Sequence, residues 1–264
     1  MIKFFRRFRK QFLTEKTHGR AGRAGRFSRY LLYAIGEIIL VVIGILIALQ
    51  INTWNEERKS ADQEALYLKR LIADNKQDLL TFSGFIKELN IGKQSVELFS
   101  AALKSSIVSD SMLIHRANEY FKYGSIFPIF SSSRSTFEDL SSTGNLNVIR
   151  NSELRDKIVQ HYALHVQLAE RIQVATDWTL PLDGPFTLKN NIMKFEPTTA
   201  FLFPESSPEA LAKELRDSKI DYISNAAAHY WINADAISSF EKLRTLTSLL
   251  IEELERELGV AGKS

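Results

Sequence analysis

One acid in this sequence sits in an apolar setting. Between residues 31 and 49 (LLYAIGEIILVVIGILIAL) Glu37 is the single ionisable side chain, and a carboxylate inside a bilayer core is unfavourable by roughly 2 to 3 kcal/mol or more. Helical spacing aligns it with Ala34, Val41, Gly44 and Ala48, a small-residue stripe that lets a second helix approach and hydrogen-bond the acid. Three readings stay open. Glu37, Gly44 and Ala48 form an intramembrane contact surface; or Glu37 carries proton-linked chemistry; or its carboxyl lies about 9 Å inside the cytoplasmic edge and reaches back toward Arg29, Tyr33 or headgroups.

The remaining candidates for chemistry are weaker. His161 and His165 share one helical face four residues apart, but a metal site needs further converging ligands. His18, His115 and His229 are scattered, and there is no HEXXH. The expected role of Tyr162 and His165 is therefore that of buried, hydrogen-bonded core residues. No GXSXG, SXXK or glycine-rich phosphate loop is present, so nothing marks an activated serine or a nucleotide site. The serines of residues 131–135 (SSSRS) read as a polar loop. The turn-rich STGNLNVIRN segment reads as a connector whose Leu146, Val148 and Ile149 plug the core. No catalytic residue, metal or cofactor is expected, and the protein is expected not to be an enzyme.

The elements that carry these residues begin with the apolar stretch itself. Nineteen residues at about 1.5 Å each nearly match a ~30 Å hydrocarbon core, and Tyr30, Tyr33 and Trp54 mark its ends as interfacial aromatics do. A cleaved signal peptide is disfavoured by the length of the stretch, the nearly thirty residues before it and the lack of a small-x-small site in IALQIN. The reading is a transmembrane helix over 30–51, a basic cytoplasmic tail over 1–29 and an outer domain over 52–264.

Charge sets the direction. The tail carries ten Lys and Arg residues against Glu15, a local +9 within a chain of net +3, so the remainder is acidic. The positive-inside rule puts the tail in the cytoplasm and the domain outside. The sequence pI of about 8.9 belongs to the tail and does not indicate nucleic-acid binding. Phe5 and Phe8, at helical spacing with Ile2 and Phe12, are surrounded by Arg6, Arg7, Arg9 and Lys10. These six residues describe a basic amphipathic helix that anchors on an anionic leaflet. GRAGRAGR after it is a flexible basic linker. The chain has no cysteine.

Beyond the membrane, periodicity predicts an all-α domain. No proline or glycine falls between residues 45 and 83, so the first helix is expected to continue outward unbroken. Positions 61 to 103 follow a four-three spacing, with ten apolar residues from Ala61 to Leu103, widened by Leu66, Leu71, Leu80 and Phe99. That breadth favours a globular bundle over a two-stranded coiled coil. A second long helix is predicted from Asn151 or Ser152 to about Trp178, stopped by Pro181 and Pro185. A third is predicted over 221–258, ending at Gly259. Shorter helices fit 111–121, 135–142 (a Ser135/Glu138 capping box) and 207–217 (Ser207 as cap, Pro208 first inside). Residues 186–203 are expected to be irregular.

The opening MIKFFRRFRK and the segment YAIGEIILVVIGILIALQINTWNEE closely resemble an uncharacterised family of single-span membrane proteins of Bacteroidota, classed as a domain of unknown function. STFEDLSSTGNLNVIRNSELRDKIVQHY is similar to the same family, whereas GRAGRAGR departs from its usual shorter linker. The resemblance implies an inner-membrane protein with one span and a helical periplasmic part, and it transfers no activity. The expected partners are the lipid bilayer and a protein, either another protein or a second copy, met through the membrane helix and the bundle; no nucleic acid is expected. A ligand-sensing bundle that signals through a partner is the alternative.

Overall fold

The structure is a computed structural model that describes residues 23–196 and 198–261. The tail residues Phe5, Arg6, Arg7, Phe8, Arg9 and Lys10 lie outside it. Among the described residues every regular element is helical. The chain divides into two compact units, residues 1–59 and 60–264, each described by itself below.

In the first unit the described residues are helical, within α1 (Arg23–Lys104). Their side chains, from Ala34 to Ile51, are exposed although most are large aliphatics. This helix is long and apolar enough to cross a membrane.

In the second unit α1 supplies one long face. Every position of the four-three stripe is buried or half-buried, and residues 45–83 are helical without a break. Of the side chains expected to widen the stripe, Leu71 and Phe99 are buried, but Leu66 and Leu80 are 56% and 70% exposed. Their places on the stripe's far shoulder go instead to Tyr67 and Asp78, which are buried.

α2 (Asp110–Glu119) is capped by Ser109, whose hydroxyl accepts the Met112 N–H, and it ends in a π turn over Tyr120–Gly124. α3 (Ser135–Ser142) has the predicted limits but not the predicted cap. Arg134 occupies the cap position, and the acceptor comes from another helix: Asp74 takes the Thr136 N–H at 3.1 Å and lies 3.5 Å from the Ser135 hydroxyl. A 3₁₀ turn, Asn145–Val148, follows Gly144, whose φ of 71° is left-handed and suits glycine.

α4 (Ser152–Lys189) starts at the cap Asn151 and runs through both Pro181 and Pro185, so the expectation that they end it is wrong. Each proline removes one helical N–H donor, and side chains compensate by tying this turn down. Thr179 is buried and donates to the Ala175 carbonyl, Asp183 is bonded to Asn225 and His229, and Phe186 packs on a hydrophobic cluster. Of the segment expected to be irregular, residues 186–189 belong to α4, and two short 3₁₀ turns follow, Ile192–Lys194 and Ala200–Leu202. α5 (Pro208–Asp217) is capped by Ser207 as predicted. α6 (Lys219–Ala261) includes Gly259 inside it. A glycine is tolerated in a last turn when nothing demands a reversal after it, so Gly259 does not end this helix.

Three hydrophobic clusters join these elements. Leu68, Leu71 and Ile72 of α1 meet Leu140 of α3, Leu154, Ile158 and Tyr162 of α4 and Leu250 and Leu254 of α6. Ile149 is wholly buried there, with Leu146 and Val148 packed beside it, so the plug reading of this loop holds. Phe82, Ile86 and Leu89 meet Leu168, Ile172, Ile237 and Phe240. Val96, Phe99 and Leu103 meet Leu113, Tyr120, Leu215 and Tyr222.

Candidate functional site

On the apolar helix, Ala34, Glu37, Val41, Gly44 and Ala48 are all exposed. A Cβ placed on Gly44 would meet nothing within 4 Å. The small-residue face is thus open along its length.

Inside the second unit the clusters are interrupted by a polar level of which the sequence pattern singled out His161, Tyr162 and His165 but not Asp78. Asn75 and Asp78 interrupt the apolar face of α1 and are fully buried. Asn75 Nδ2 donates to the Leu71 carbonyl at 2.8 Å and lies 3.2 Å from the Tyr162 hydroxyl. Asp78 Oδ1 accepts the Ser133 N–H at 2.6 Å. His165 is wholly buried among the rings of Phe82, Phe130, Tyr162 and His161, with centroid distances of 4.4 to 5.8 Å. Tyr162 is the buried, hydrogen-bonded residue expected of it. His165 is buried, but neither of its nitrogens finds a partner.

Atoms without a hydrogen-bond partner gather at this level: Asn75 Oδ1, Asp78 Oδ2, Ser132 Oγ, His161 Nε2, both nitrogens of His165, and Arg134 Nε, which is ion-paired with Glu138 at 3.7 Å. A buried polar atom without a partner costs roughly 1 to 3 kcal/mol, so such a gathering calls for a physical role. Burial pushes the Asp78 carboxyl up to about 6, against the lowering effect of Ser133. Burial likewise holds His161 down to about 4, and burial with the neighbouring His161 and Arg134 holds His165 down to about 3. At neutral pH both imidazoles are uncharged. Among the described residues no three His, Cys, Asp or Glu side chains are grouped to hold a metal.

A second polar network lies nearer the π turn. Tyr120 donates to Asn225 Oδ1 at 2.6 Å, and Asn225 donates to Asp183 Oδ1 at 2.7 Å. His229 Nε2 lies 3.0 and 3.1 Å from the two Asp183 oxygens, and its Nδ1 lies 3.3 Å from the Ile126 carbonyl. Burial, with Asp183 as a negative neighbour, raises the Tyr120 phenol well above its usual range. Sequence reading took His229 only as a scattered histidine and passed over the others; Asn225 and His229 are four apart on one helix face, but their partner Asp183 sits where two prolines suggested a break.

An all-helical protein with one long apolar helix near its N-terminus is thereby defined. A family of unknown function, DUF6090, matches residues 37–168, half of the chain, and the chain belongs to that family. No curated protein and no solved structure matches it.

Proposed function

We propose that this protein is a membrane-anchored helical module that acts through protein contact, as a scaffold or assembly partner rather than an enzyme. In this reading α1 spans the inner membrane with the basic tail in the cytoplasm, and residues 52–264 form a periplasmic helical bundle. The observation that carries it is the open face of Glu37, Gly44 and Ala48: a helix in lipid has no hydrophobic drive to associate, and small residues with one polar group supply the close packing and hydrogen bond that replace it. Crosslinking of the full chain in native membranes tests it. Defined complexes that weaken in Glu37→Ala and Gly44→Leu are expected, and a chain that stays monomeric with no neighbour overturns it.

A second reading, a sensing bundle that signals through a partner, is supported by the unpartnered polar atoms at the level of Asn75 and His165. A ligand that binds only the folded state raises the unfolding midpoint. No shift of the full chain across a metabolite panel would count against it.

A further inference from the structure

Residues 125–134 cross the second unit without regular secondary structure and form a strap held at several points. The Ile126 carbonyl and the Phe127 ring meet His229. The Phe130 ring stacks on Phe82 and Phe240, with centroids 6.1 Å away in each case. Near the strap's end the Ser133 N–H is bound by Asp78 Oδ1.

That last anchor is chemically unbalanced. Asn75 Oδ1 and Asp78 Oδ2 are three residues apart on one helix, both buried and both without a donor. Residues three apart share a helix face, so two acceptors open toward the same interior. A proton on Asp78 Oδ2 turns one of them into a donor and removes a buried charge whose hydrogen bonding comes from Ser133 alone. The charged and titratable neighbours of this level are Asp74 on α1, Arg134 at the end of the strap with Glu138 of α3 3.7 Å from it, and His161, Tyr162 and His165 on α4. Ala236, Ile237, Phe240 and Leu243, the α6 residues of the adjoining cluster, carry no charge.

We propose that Asp78 and Asn75 form a proton-binding site that regulates how firmly the 125–134 strap is held on α1. With Asp78 ionised, opening of the strap hydrates the carboxylate and is favoured. With Asp78 protonated, the strap closes over a neutral, hydrogen-bonded pair. Because the carboxyl titrates near 6 when closed and near its ordinary 3.8 when open, strap opening gains about tenfold between pH 5 and pH 8 from this group alone, and about a hundredfold in all relative to the fully protonated site. His161 and His165 act in the opposite direction below about 6.5, so the site is read by difference and not from the raw pH profile. The device stands independently of the anchor's association.

The test uses the full chain in lipid bilayers. Hydrogen exchange of residues 127–136, corrected for intrinsic rate, is compared in wild type and Asp78→Asn, whose neutral amide keeps an acceptor for Ser133 and offers a donor to Asn75. Slower exchange in the variant is expected at both pH values, by about tenfold at pH 5 and about a hundredfold at pH 8. A difference of the same size at both pH values overturns the proposal, since that marks a merely structural role. Infrared titration of the wild type gives a readout that does not depend on the variant folding. A protonated-carboxyl stretch appearing with a midpoint near 6, and shifted by Asn75→Leu, supports the site, and no such band above pH 5 overturns it.

Discussion

His229 Nε2 is within 3.1 Å of both carboxylate oxygens of Asp183, and Asp183 stands between the two prolines of α4. The pair explains a helix that local propensity would have ended, since a turn short of two N–H donors is fastened sideways to α6. His229 is wholly buried, so removing its partner strands it. Asp183→Ala leaves His229 Nε2 and Asn225 Nδ2 without acceptors and is expected to cost roughly 2 to 4 kcal/mol. A fall in thermal midpoint of several degrees checks this, with His229→Ala costing less in the double variant than alone.

His165 makes the body acid-sensitive. Its folded value is held down to about 3 from 6.5, so its contribution to stability is fully present above pH 6.5 and is lost as pH falls toward 3, at about 1.4 kcal/mol per unit. His165→Phe keeps a ring against Phe82 and Phe130 and removes two unpartnered nitrogens. The variant is expected to gain about 2 kcal/mol more over wild type at pH 5 than at pH 7.5. Equal gains at the two pH values, in denaturation curves, would show that the imidazole's charge is irrelevant.

How much could be read from the sequence follows from the range of the interactions. The stripe from Ala61 to Leu103, the caps Asn151 and Ser207 and the plug Ile149 are local patterns, and each lies where periodicity or capping chemistry puts it. Where a long-range partner overrides local preference, the reading fails. Pro181 and Pro185 sit inside α4 because Asp183 and Phe186 are held from α6 and the third cluster. Ser135 does not cap α3 because Asp74, some sixty residues earlier, does so. Asn75 occupies a stripe position and Asp78 lies off it, and only the fold shows that His165 and the strap close over them. Of the candidate sites, Glu37 and its stripe were legible as spacing, whereas the Tyr120, Asn225, Asp183 and His229 network joins three separate segments.

The glycines of α1 separate packing from propensity. A Cβ on Gly92 would stand 2.6 Å from the Tyr123 carbonyl oxygen, whereas one on Gly84 meets nothing. Gly92→Ala must push the π turn away and is expected to destabilise by about 1 to 3 kcal/mol. Gly84→Ala only restricts the unfolded chain and is expected to stabilise by about 0.5 to 1 kcal/mol. Opposite shifts in thermal midpoint check both.

Three acids of α1 serve as acceptors for backbone N–H groups of the connecting segments and of the first turn of α3: Asp78 for Ser133, Asp74 for Thr136 and Glu64 for Arg150. Glu64 is 3% exposed and takes the Arg150 N–H at 2.7 Å, with the Arg150 guanidinium Nε 3.6 Å from its other oxygen. Its bond fixes the loop just after Ile149, the residue that plugs the first cluster. Glu64→Gln keeps an acceptor and is expected to lose little. Glu64→Ala leaves a part-buried N–H unsatisfied and is expected to cost roughly 1 to 3 kcal/mol, with faster hydrogen exchange concentrated at residues 145–151. Uniform loss of protection along α4 and α6 instead would mean that Glu64 supports the whole core and not this loop.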